Sequence, residues 1–244
     1  MSSKRVKKRF NSDVNIIDFH SHPQAAIKKQ RVYLSPRNQH QEEYLDILAD
    51  DQTDIIFAIG PAGTGKTMLA VQYGIKLFQE GKIDKIIVTR PAVSADEELG
   101  HLPGTLNEKM APWIRPLLDV FEEYYTTKEI AKMLEDGVLE IAPFAMMRGR
   151  TFKHSYIVAD ETQGCTPNQM KMLLTRIGVG SKLVVTGDLN QADRGHDNGL
   201  REFLYLLKSR VSTSGSRIDM IEFESRDIER HPVIAEVLSI YNND

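Results

Sequence analysis

The stretch Gly60-Pro61-Ala62-Gly63-Thr64-Gly65-Lys66-Thr67 follows the spacing G-x-x-x-x-G-K-[ST], and that spacing has a definite chemistry. Glycines let consecutive backbone N–H groups curl around phosphate oxygens, and a following helix adds the positive end of its dipole. A lysine at the position of Lys66 reaches the β and γ phosphates of a nucleoside triphosphate, and a hydroxyl at the position of Thr67 is a ligand for Mg²⁺. The candidate nucleotide-binding set is therefore Gly60, Pro61, Ala62, Gly63, Thr64, Gly65, Lys66, Thr67 and Met68. ATP and Mg²⁺ are the cofactors it implies.

Such a loop needs a second carboxylate for the metal and a group that activates the attacking water, both at the end of a nearby strand. The run Ser155-Tyr156-Ile157-Val158-Ala159-Asp160-Glu161 supplies them, with Asp160 for the metal and Glu161 as general base. By itself an acidic pair after a strand is usually a solvated strand end; the upstream loop reverses that reading. Further on, Lys182 to Thr186 leads into Gly187-Asp188-Leu189-Asn190-Gln191. If this strand neighbours the phosphate-loop strand, the amide of Gln191 can donate to the terminal phosphate and accept from the lytic water.

A rival constellation is Asp18-Phe19-His20-Ser21-His22, which resembles the D-x-H-x-H strand end of metal-dependent hydrolases. Two imidazoles at this spacing need further His and Asp ligands from later strands. Those strands end in the phosphate-binding motifs instead, so His20 and His22 are expected to be surface residues. The lone Cys165 forms no internal disulfide and has no cysteine partner for a metal.

These groups require a parallel sheet wrapped by helices. Strands are expected at Ile55 to Ile59, Lys85 to Thr89, Ser155 to Ala159, Leu183 to Thr186 and Ile218 to Phe223, with Val138 to Ile141 a weaker one. A helix is expected over Met68 to Phe78. Met110, Trp113, Ile114, Leu117, Leu118 and Phe121 recur at helical spacing as one buried face, although Pro112 and Pro116 argue against a single straight helix. With 244 residues, 41% hydrophobic and 27% charged, one principal domain is the default. No apolar run is long enough for a membrane span and no secretory signal is visible, so the expected location is the cytoplasm, with no membrane partner. A net charge of −3 gives no global attraction to nucleic acid, and any such claim must rest on local patches. One is Lys4, Arg5, Lys7, Lys8 and Arg9, either an arm that touches phosphates or a solvated, partly disordered tail.

Taken together the motifs resemble the PhoH family, P-loop ATPases allied to superfamily-one helicases. The resemblance rests on GPAGTGKT at 60–67, TRPAV at 89–93, LGHLPG at 99–104 with EKMAPWIRPLLD after it, RGRTF at 148–152, VADETQ at 158–163, TGDLNQ at 186–191 and the closing Arg230-His231-Pro232. It begins at about residue 36, leaving the basic N-terminal arm over 1–35 outside it, and implies a single RecA-like core over 36–244, ATP hydrolysis, and work on RNA or single-stranded DNA. It marks Gln41 as the adenine-recognising glutamine with Tyr44 as its stacking neighbour, and leaves Gln39 as a competitor. Relatives carry PIN nuclease or KH-like segments, but the first 35 residues are too short for the former and show no GXXG loop, so nuclease activity is not carried over.

Arg90, at a strand end where related helicases contact the single-strand backbone, and the run Arg148, Arg150 and Lys153 are candidate nucleic-acid contacts. The alternative is that these arginines pair with acidic neighbours or touch ATP. Because related enzymes place ATP between two cores and this chain has one, a homo-oligomeric ring, most plausibly a hexamer, would supply the second face. Arg230 is then the arginine finger from a neighbouring subunit; the competing reading is a surface arginine paired with Asp227.

Overall fold

In the computed structural model, residues 30–91, 106–192, 197–209, 215–229 and 233 are described. The elements in chain order are α1 (Gln39–Ala49), β1 (Ile55–Ile59), α2 (Lys66–Gln79), β2 (Lys85–Thr89), α3 (Leu106–Glu122), α4 (Thr127–Glu135), β3 (Leu139–Ile141), α5 (Phe144–Met147), β4 (Ser155–Ala159), α6 (Pro167–Leu174), β5 (Lys182–Gly187), α7 (Gly199–Ser209) and β6 (Ile218–Glu222). The strands form one six-stranded sheet in the order β3-β2-β4-β5-β1-β6. Every pairing is parallel.

Parallel strands need helical crossovers that cover both faces, so their residues are buried on both sides and read as continuous apolar runs. The side-chain period of two then divides each run between two cores. Ile56 and Ala58 of β1, Ile86 and Val88 of β2, and Tyr156 and Val158 of β4 face α1 to α4. Ile55, Phe57 and Ile59, with Ile157 and Ala159, face α5, α6 and α7. Cys165 is buried in this second core. Two helix starts are fixed by reciprocal capping boxes, Thr126 with Glu129 before α4 and Thr166 with Gln169 before α6.

The expected elements are all present, with ends shifted by a residue or two. The reservation about the prolines is corrected: α3 runs unbroken through Pro112 and Pro116. Each proline removes one backbone bond at a cost of about 3 kcal/mol. Ile114, Leu117, Val120 and Phe121 on its inner face are buried, and each returns roughly 1.5–3 kcal/mol on burial. Pro116 points to solvent. The basic run at Lys4 to Arg9, His20 and His22, and Arg230 lie outside the described residues.

All the strands being parallel, their carboxyl ends share one edge of the sheet. Between the phosphate-loop strand β1 and the acidic strand β4 lies β5. The loops after β1, β4 and β5 therefore converge, which is where an open α/β sheet forms its crevice.

Candidate nucleotide site

The loop after β1 ends at Gly65, which caps α2 with φ 84°, a left-handed conformation that glycine adopts without penalty. Gly60 has φ 143°, and a Cβ there would lie 2.4 Å from the Phe223 carbonyl oxygen. Only glycine fits where the loop passes the end of β6. Lys66 folds back over its own loop: Nζ donates to the carbonyls of Gly60 at 2.7 Å and Pro61 at 2.6 Å. Burial pushes the ammonium pKa down, against the opposing pull of Asp188, Glu161 and Asp160.

The two expected metal ligands meet. Thr67 Oγ1 donates to Asp160 Oδ1 at 2.6 Å across 93 residues of sequence. The same carboxylate oxygen accepts from Thr186 Oγ1, also at 2.6 Å. Hydroxyl and carboxylate oxygens converging on one point suit a hard cation such as Mg²⁺. Among the described residues no cluster of three or more His, Cys, Asp or Glu is arranged to hold a metal. This set would therefore hold Mg²⁺ only with phosphate oxygens and water completing the shell.

Glu161 has a left-handed backbone, φ 54°, unusual for a residue with a side chain. Gln163 Nε2 donates to its Oε2, and the Arg90 guanidinium lies 3.7 Å from its Oε1. Gln191 donates to Asp188 Oδ2 at 2.9 Å. β5 does pair with β1, the neighbourhood on which the reading of Gln191 depended.

Ala62, Gly63, Gly65, Lys66, Thr67 and Met68 line one wall of a cleft; Asp160, Glu161, Thr186, Gly187, Asp188 and Gln191 line the other. The cleft encloses about 510 Å³ including its open mouth. Of the remaining loop residues, Gly60 and Pro61 present their carbonyls to Lys66, and Thr64 Oγ1 donates to the Pro61 carbonyl at 3.0 Å. Thr64 is fully buried, and its carbonyl accepts from Gln41 Nε2 at 3.0 Å.

Gln41 is thus buried against the phosphate loop, its Oε1 taken by the Arg37 N–H, whereas Gln39 is exposed and bonded to Glu43. Of the two, Gln41 stands beside the loop. Tyr44 as a stacking neighbour is corrected: its ring is fully buried, edge-on to Phe223 at 5.7 Å. Helical spacing puts it on the same face as Gln41, but that face is core.

The arginines divide. Arg90 reaches the cleft through Glu161. Arg150 is engaged elsewhere: both Nη atoms donate to Glu140 of β3, Nη2 at 3.0 Å. Its guanidinium also covers the Phe152 ring at 4.5 Å. Arg148 is exposed.

Thr186, Asp188 and Gln163 were missed as site residues. A hydroxyl closing an otherwise apolar strand was the available signal for Thr186. A second missed feature is the segment after β6. Asp227 binds His40 Nδ1 at 2.6 Å, and the Glu229 N–H donates to the Gly63 carbonyl at 2.9 Å, so this strap is tied to the tip of the phosphate loop.

The family model described as PhoH-like protein matches residues 33–242. The chain is 46% identical over 204 residues to the PhoH-like protein of Bacillus subtilis strain 168, covering 83% of this chain and 62% of that protein. It is 38% identical over 216 residues to Protein PhoH of Escherichia coli K12, covering 84% and 57%. The chain spans about three-fifths of the length of these curated relatives. A solved structure, the Sulfolobus solfataricus SWI2/SNF2 ATPase core in complex with dsDNA, aligns at 13% identity and TM-score 0.48 over 90% of this chain and 55% of that one. No helix among the described residues is long and apolar enough to cross a membrane. On the family match and the level of identity to these relatives, the chain belongs to the PhoH family.

Proposed function

We propose that this protein is a Mg²⁺-dependent ATPase that couples turnover to binding or remodelling RNA or single-stranded DNA. One observation carries the ATPase reading: Thr67, in the first turn of α2, and Asp160, just after β4, meet at 2.6 Å in a cleft lined by the phosphate loop.

When bound, Mg²⁺ would neutralise phosphate charge and orient the terminal phosphoryl group. Thr67 and Asp160 would hold it, the Thr67 hydroxyl turning from the carboxylate to the metal. Lys66 exchanges its bonds to the loop carbonyls for bonds to phosphate oxygens. Glu161 takes the proton of the attacking water, and Gln191 leaves Asp188 to contact the terminal phosphate. Arg90 offers a cation at the cleft rim to a polynucleotide phosphate.

A second reading is an ATP-switched scaffold without translocation. The ion pairs already made by Arg90 and Arg150 favour it. Both pairs are partly exposed, however, and such pairs contribute little enough that a phosphate can displace them. ATP turnover measured with and without RNA and single-stranded DNA decides between them. Stimulation that weakens as salt rises is the expected result. Turnover unchanged by every polynucleotide at low salt would leave the scaffold reading.

A further inference from the structure

The loops after β4 and β5 share one buried amide. Gln163 is 6% exposed, and both ends of its side chain are in use. Oε1 accepts from the Asp188 N–H at 3.1 Å, while Nε2 donates to Glu161 Oε2. A backbone N–H can only donate, so the atom facing Asp188 is the amide oxygen and the NH₂ must face Glu161. The Gln163 carbonyl accepts from buried Asn198 Nδ2 at 2.8 Å. A Cβ on Gly187 would come 3.1 Å from Oε1, which shows how closely β5 confines the amide. Asp188 in turn accepts from Gln191.

We propose that Gln163 is a positioning residue that sets the aim of the Glu161 carboxylate and ties it to the loop carrying Gln191. The inference rests on Glu161 being the general base. A base must sit within about 2.6–3.2 Å of the proton it removes. Glu161 is a flexible side chain, 39% exposed, and Arg90 at 3.7 Å is a loose, partly exposed anchor. The buried donor of Gln163 supplies the constraint that Arg90 does not. Movement of Gln191 toward a terminal phosphate releases the Asp188 carboxylate, and through Gln163 the change reaches Glu161.

Two substitutions separate positioning from packing. Gln163→Glu keeps an oxygen for the Asp188 N–H and presents a second carboxylate oxygen to Glu161. Gln163→Lys keeps a donor for Glu161 and leaves the Asp188 N–H unpaired. Assays at pH 8, with affinity followed by a fluorescent ATP analogue, should show Gln163→Glu losing kcat by about tenfold or more while nucleotide affinity stays within about twofold. Gln163→Lys should recover part of kcat, whichever variant melts lower.

Wild-type kcat in folded Gln163→Glu, or equal loss in both variants, would overturn the proposal. If Gln163→Glu does not fold, Gln163→Met replaces it, since it too lacks the donor. Glu161→Gln is measured alongside. Normal turnover in that variant removes the general-base assignment and this inference with it, whereas an inactive Glu161→Gln beside a normal Gln163→Glu removes this inference alone.

Discussion

At the scale of single residues, polar groups that line the cleft are bonded to one another. Lys66 bonds loop carbonyls, Thr67 bonds Asp160, and Gln191 bonds Asp188. Each of these bonds is one that a nucleoside triphosphate with its metal can replace. Lys66→Ala removes the buried cation that the proposed mechanism assigns to the phosphates; nucleotide affinity in a fluorescence titration should fall by about tenfold or more, as expected for a lost hydrogen-bonded charge. Glu161→Gln should keep Mg·ATP binding and lose turnover by about 10²–10⁴-fold in a steady-state assay. Near-normal turnover in Glu161→Gln, or unchanged affinity in Lys66→Ala, would refute the corresponding role. Thr186→Val deletes one of the two hydroxyls on Asp160 Oδ1 and should raise the Mg²⁺ concentration needed for half-maximal nucleotide binding, with Thr186→Ser restoring it. An unchanged Mg²⁺ titration would make Thr186 a packing residue. Lys66, Thr67, Asp160 and Glu161 were legible in the sequence because their spacing encodes a local shape. Thr186 was not, and neither was the link from Gln163 to Asp188, because these pairs lie 26 and 25 residues apart along the chain, and only the order of strands brings them together.

At the scale of elements, sheet and helices were legible wherever hydrophobic period was the signal, and less so where contacts between elements decide. The apolar strands at 55–59, 85–89 and 155–159 stand as read. The unbroken α3 and the burial of Tyr44 did not follow from local pattern, since each depends on what packs against the helix. The phosphate loop, for instance, is held by β6 and the strap after it. Gly60→Ala would force a Cβ to 2.4 Å from the Phe223 carbonyl at a positive φ, so it should cost about 1–3 kcal/mol of stability. It should also weaken nucleotide binding. A melting temperature equal to that of the wild type would contradict this packing. At the other edge, β3 is pinned through Glu140, whose carboxyl lies below the usual glutamate range because Arg150 donates to it and Lys85 adds a second bond, against opposing burial. A carboxylate depressed in the folded state stabilises above its unfolded pKa and loses that contribution as pH falls through the folded value. Glu140→Gln should therefore be less stable than wild type near pH 7, and the gap should close below about pH 4. A gap independent of pH would mean the charge on Glu140 is not what holds the edge. The same substitution releases Arg150, and a gain in polynucleotide affinity would restore that arginine to the list of nucleic-acid contacts.

At the scale of the whole molecule, among the described residues that line the cleft Lys66 is the only cation. Phosphoryl transfer spreads negative charge over the terminal phosphate, and an added arginine there can be worth about 10³-fold or more in turnover. The expected source is Arg230, presented by a neighbouring copy in a ring, most plausibly a hexamer. The strap bears on where it acts. Glu229 is bonded to Gly63 of its own phosphate loop, which brings the strap after β6 to the rim of its own cleft. Mixing Arg230→Ala protein with Lys66→Ala protein, each inactive alone, distinguishes the two arrangements. In a ring with the finger acting in trans, some interfaces pair an intact loop with an intact arginine, and turnover should reappear in proportion to the statistics of mixing. Mixed rings that stay inactive assign Arg230 to its own loop, with the Glu229 anchor as the reason. Full turnover in a strictly monomeric protein, read by sedimentation at the assay concentration, would remove the ring itself, and wild-type turnover in Arg230→Ala would remove the arginine from the mechanism in either geometry.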